Sequence, residues 1–106
     1  MTDSVHFLRD DHGGPLGVVS VNAVNERGAI LAFAAAVASN RPRDLEQLTQ
    51  ELVEEVGPRE AGYVFAAALG TLVQDVLDPL LDVVEATGHP VRTKLAQTLQ
   101  GMKAGR

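Results

Sequence analysis

The chain has no cysteine. Disulfides, thiolate catalysis and cysteine-ligated zinc or iron–sulfur centres are therefore excluded. It opens Met-Thr-Asp-Ser, without the basic-then-apolar pattern of a secretory leader. Its longest strongly apolar runs, residues 29–38 and 64–69, stop well short of the roughly 20 residues that span a bilayer. No membrane partner is expected on that count, and the expected location is the cytoplasm. Isoleucine occurs only at Ile30, and lysine is outnumbered by arginine, two to seven. That residue choice is typical of a GC-rich bacterial genome and carries no mechanism.

Charge of one sign is missing from whole stretches. Residues 44–85 hold ten acids and only Arg59, whereas residues 86–106 hold Arg92, Lys94, Lys103 and Arg106 with no acid. The net charge of −5 is thus an acidic middle with a basic tail. Such a division argues against nucleic acid lying across the whole surface. It favours a basic last helix docked on acidic ones, within one chain or between two.

With 106 residues, 45% apolar and 22% charged, the composition is that of one ordinary folded domain. Proline marks where helices begin. Pro42, Pro58, Pro79 and Pro90 each stand at a first-turn position, where a missing N–H costs nothing. Gly57 and Gly88 precede two of them as residues able to end a helix in the left-handed conformation. Helices are expected over about 23–39, 42–56, 58–77, 79–87 and 90–103. The third is apolar nearly all round from Ala61 to Val73, which marks a helix covered on every side or by a partner. Because Pro79 follows it directly, helices three and four are also readable as one kinked rod.

Before them, Val5, Phe7 and Arg9 alternate with His6 and Leu8, and 16–21 is valine-rich. The intervening Asp10-Asp11-His12-Gly13-Gly14-Pro15 is a turn signal. The expected fold is mainly α: a compact four- to five-helix bundle over 23–106, with a β-hairpin or extended arm over 1–22, in a single domain. Its expected core comprises Leu45, Leu48, Leu52, Phe65, Leu69, Leu72, Val76, Leu80, Val84, Leu95 and Leu99, closed over by Ile30, Leu31 and Phe33.

Two ladders of small residues stand out. Gly28, Ala32 and Ala36 form one, and Gly62, Ala66 and Gly70 the other. Residues four apart share a helix face, so each ladder is a shallow groove that admits another backbone closely. Either the two ladders meet inside one subunit, or the second meets its own copy across a two-fold axis.

No catalytic constellation is legible. Ser4, Ser20 and Ser39 lie in no nucleophile-elbow context, and Gly13-Gly14-Pro15-Leu16-Gly17 lacks the lysine and helix start of a phosphate loop. His6, Asp10, Asp11 and His12 could ligate a metal but read better as a surface turn. Asp75, Asp78, Asp82 and Glu85, at i, i+3, i+7 and i+10, form one acidic stripe if the helix runs through Pro79. No Glu-x-x-His pair accompanies it, as a carboxylate di-metal bundle would require. A helix-turn-helix reading of helices two and three fails, because 64–69 offers apolar side chains where a DNA reader needs polar and basic ones.

The expected function is a non-catalytic protein-interaction or regulatory domain, a homodimer, without cofactor or metal. Its expected interaction residues are Gly62, Ala66 and Gly70 with the acids Asp75, Asp78, Asp82 and Glu85, facing a basic partner. The alternative is a small-molecule sensor or carrier with an apolar pocket between the Ala/Gly-rich helices, walled by Phe33, Phe65 and Tyr63. A nucleic-acid-associated regulator acting through the basic last helix ranks third.

Overall fold

In the computed structural model of the chain, residues 5–9 and 15–105 are described, those before Ser20 for their backbone alone. The described chain is mostly helical. Val5–Arg9 (β1) and Pro15–Ser20 (β2) are extended. The turn expected at 10–14, with three of the four metal-capable residues there (Asp10, Asp11, His12), lies outside the described residues, as does the side chain of His6.

The helices are α1 (Val21–Val37), α2 (Pro42–Val56), α3 (Pro58–Thr71), α4 (Asp78–Glu85) and α5 (Val91–Ala104), with a π-helical turn over Leu72–Leu77. Ser20 caps α1, its hydroxyl accepting from the Ala23 N–H at 3.2 Å. Pro42 and Pro58 begin α2 and α3 at positions where no N–H is needed. Gly57 and Gly88 adopt φ of 86° and 96°, the left-handed region that glycine enters without a Cβ penalty.

The helical backbone is unbroken from Pro58 to Glu85. Pro79 has no N–H for the carbonyl of Asp75 and its ring crowds that same group. The π turn stands immediately ahead of it, where a wider helical turn relieves the conflict.

The chain divides into two compact units, Met1–Leu72 and Val73–Arg106. In the first, α1 lies against α3 at very short range. A Cβ placed on Gly28 would stand 2.6 Å from the Ala67 Cβ and 3.0 Å from the Ala68 backbone nitrogen. The core there consists of Val24 from α1, Leu52 from α2, and Ala61 and Val64 from α3, with Leu31, Val53, Val56, Phe65 and Ala67 packed around it. Val64 is the largest side chain that is fully buried. Stability in this unit therefore comes from many short-range backbone and methyl contacts, each weak on its own.

That mode of packing overturns much of the expected core. Leu52 is buried, and Leu31, Leu48, Phe65, Leu72 and Val76 are partly so. Ile30, Phe33, Leu45, Leu69, Leu80, Val84, Leu95 and Leu99 are exposed instead. α1 and α3 meet through their small residues, which places the large apolar side chains on the flanks of the contact.

In the second unit α4 and α5 form a helical hairpin through the turn at Gly88. No residue of the π turn, α4 or α5 is buried.

Candidate interaction surfaces

The first ladder is used up inside its own unit. Gly28 and Ala32 are buried and Ala36 is partly covered. Its counterpart is not the second ladder, however, but the neighbouring α3 face of Ala61, Val64 and Ala68, at i, i+3 and i+7, with Ala67 beside it. Gly62 and Ala66 are exposed and Gly70 is half-buried. A Cβ on Gly62 or Gly70 would meet nothing within 4 Å. The face-to-face pairing of ladders expected within one subunit is thus corrected. The reason is geometric: an apolar helix offers several faces, and the one led by Ala61 supplies Val64 as filling while still admitting Gly28. The second ladder stays open, flanked by Tyr63, Leu69 and Val73, all exposed.

The acidic stripe already has a base. Arg92, at the start of α5, sends its guanidinium to Asp78 (Nη2 to Oδ1, 2.6 Å), to Asp82 (Nη1 to Oδ1, 3.1 Å) and to Glu85. Its Nη2 also donates to the Asp78 carbonyl at 3.2 Å, and its backbone N–H donates to the Glu85 carboxylate at 2.9 Å. Burial lowers the guanidinium pKa, but hydrogen bonds to Asp82 and Glu85 outweigh that and raise it above its ordinary value. Three of the four acids expected to receive a basic partner are therefore occupied by the chain itself. Asp75 remains exposed without an ion pair to Arg92. The clamp also removes Arg92 from the basic tail, leaving Lys94 and Lys103 as the exposed described bases of α5.

A third surface was not legible from spacing. α1 and α2 splay apart to leave an open hollow of 300 Å³ over Ile30, Leu31, Ala34, Leu48 and Leu52. It continues past Ala34, Leu48 and Glu51 into a second hollow of 420 Å³ lined also by Val37, Ala38 and Gln47. Ion pairs mark its two ends: Arg27 to Glu55 at 2.7 Å and Arg41 to Asp44 at 3.2 Å. The Glu55 carboxylate, by hydrogen bond and charge, raises the Arg27 pKa. On the α2 rim Glu51 is steadied by the Gln47 amide at 2.9 Å, while Glu46 and Glu54 lie with Arg43 and Gln50 on a neighbouring face of α2. The signal that could have found this groove is α2's pattern itself, leucines on one face and glutamates and glutamines on the rest.

The pocket expected between the Ala/Gly-rich helices has no room to form between α1 and α3 at Gly28. Phe33 and Tyr63 are exposed and Phe65 packs on the core. Among the described residues, no three His, Asp or Glu side chains are placed to hold a metal ion.

The unbroken helix Pro58–Glu85 is long and apolar enough, by length and composition alone, to cross a membrane. Dividing the sequence at Pro79 hid that length. Core helices of soluble proteins pass the same test when they are mostly buried, but little of this one is.

No family model, curated protein or solved structure matches this chain.

Proposed function

We propose that this chain is a non-catalytic protein-interaction domain of regulatory type, cytoplasmic and homodimeric, which receives a basic amphipathic helix in the groove between α1 and α2. One observation carries the reading: the open apolar floor of Ile30, Leu31, Ala34 and Leu48 beneath a rim that is mainly carboxylate on the α2 side. Helices bound in grooves place apolar anchors on such a floor at i, i+3, i+4 and i+7. Flanking lysines or arginines would meet Glu51. The acidic docking surface is then α2 rather than the stripe at Asp75–Glu85, whose charge Arg92 largely absorbs.

Protein rather than lipid is the proposed cover for the outer faces of the long helix. Gln74, Asp75 and Asp78 lie within it, and carboxylates are costly in hydrocarbon. The proposed architecture is the helical fold preceded by a hairpin of β1 and β2.

The reading is tested with two synthetic amphipathic helices of identical apolar face, one with lysines and one with glutamates on the polar face. Fluorescence anisotropy should show binding of the basic peptide alone, weakening as salt rises. Glu51→Lys should abolish that preference. Equal binding of both peptides, or binding of neither, would overturn the reading.

A further inference from the structure

We propose that the α4–α5 hairpin is the dimerisation element, two copies packing their apolar faces together into a four-helix bundle. It rests on the chain being a homodimer and names the surface that makes it one.

The second unit is too small to stand by itself. Val73–Arg106 falls below the ~40 residues under which folded units generally need disulfides, metals or association. It has no cysteine, and among its described residues no cluster could hold a metal. None of its helical residues is buried. Association is what remains.

The apolar side chains are arranged for it. Leu77, Leu80 and Val84, at i, i+3 and i+7, run along the flank of α4 away from Asp78, Asp82 and Glu85. Leu95, Leu99 and Met102, at i, i+4 and i+7, form the matching stripe on α5. Each of the six is between 40% and 67% exposed even with α4 and α5 in contact. So many large apolar side chains left open on so short a hairpin mark an interaction surface.

Charge selects a second copy as the occupant. Residues 73–106 carry four acids and four bases and are neutral, so the whole net charge of −5 belongs to residues 1–72. Two hairpins approach without net repulsion, whereas two first units would repel. Within the hairpin, α4 carries only acids and α5 only bases. The Arg92 clamp fixes the start of α5 against α4 and so presets the hairpin.

Light scattering over a dilution series reads the mass of the intact chain, and hydrogen exchange at the same concentrations reads its helices. The expected wild-type result is a dimer of twice 11.2 kDa. On dilution into the monomer range, α4 and α5 amides should lose protection while those of α1 and α3 keep it. Leu80→Asp with Leu99→Asp should give a monomer with α1–α3 protection intact, and Ala66→Leu should leave the dimer in place. A wild-type mass of 11.2 kDa at several hundred micromolar would overturn both this seam and the homodimer reading. A dimer whose α4–α5 protection does not respond to dilution, or one that Ala66→Leu dissociates, would overturn the seam alone.

Discussion

The two units of this chain solve the problem of a small core in opposite ways. Met1–Leu72 brings two backbones together so closely that a single added methyl at Gly28 has no place, and its described core is Val24, Leu52, Ala61 and Val64 with Phe65 packed against it. Val73–Arg106 buries none of its helical residues, is held by one arginine among three carboxylates, and displays its large apolar side chains. Close packing needs small residues and yields stability within one chain. Open leucine stripes yield it only when a second surface arrives. The difference separates a unit with a buried core of its own from one whose large apolar side chains stand open.

The comparison is broken most severely at Gly28. Gly28→Val should destabilise the first unit by about 3 kcal/mol, because neither the Ala67 methyl nor the Ala68 backbone can retreat far. Thermal unfolding of the dilute protein should register the loss. Val64→Ala, which removes the largest fully buried side chain, should cost about 2 kcal/mol in the same unit and leave the α4–α5 exchange pattern unchanged. Gly57→Ala should cost about 1 kcal/mol through backbone strain alone, since φ is 86° and no atom stands within 4 Å of the new methyl.

Smaller effects sharpen the contrast between the two faces of α3. Gly62→Ala should stabilise by about 0.5–1 kcal/mol, as an exposed helical glycine gains in propensity and meets nothing. Denaturant titration checks the sign: destabilisation there would show that the second ladder is covered in solution. Arg92→Gln should loosen only the second unit, seen as faster exchange of α4 and α5 amides with α1 and α3 unaffected, and the wild-type clamp should weaken with added salt.

Much of the secondary structure was legible because proline and glycine act locally. Pro42 and Pro58 begin helices, and Gly57 and Gly88 take the left-handed conformation their neighbours require. The π turn was not legible, since it is a response to Pro79 transmitted several residues back along the helix. The core was misread for a related reason. Spacing shows which residues share a face, but α1 and α3 are apolar or small nearly all round. Leu69 was therefore expected in the core, where Ala61 is the residue buried. The acidic stripe was correctly seen as a stripe, yet its partner Arg92 sits beyond a turn, and only the hairpin brings them to hydrogen-bonding distance.

By itself, the sequence determined the absence of cysteine chemistry, the helical punctuation and the division between an acidic middle and a basic tail. These follow from residue identity and near-neighbour backbone preferences. The tertiary structure decided which ladder is buried, that Arg92 occupies the carboxylates, and that the leucines of α4 and α5 are left open. Those outcomes depend on which of several equally apolar faces meet, and that competition is settled by close packing between distant segments, to which local patterning is blind.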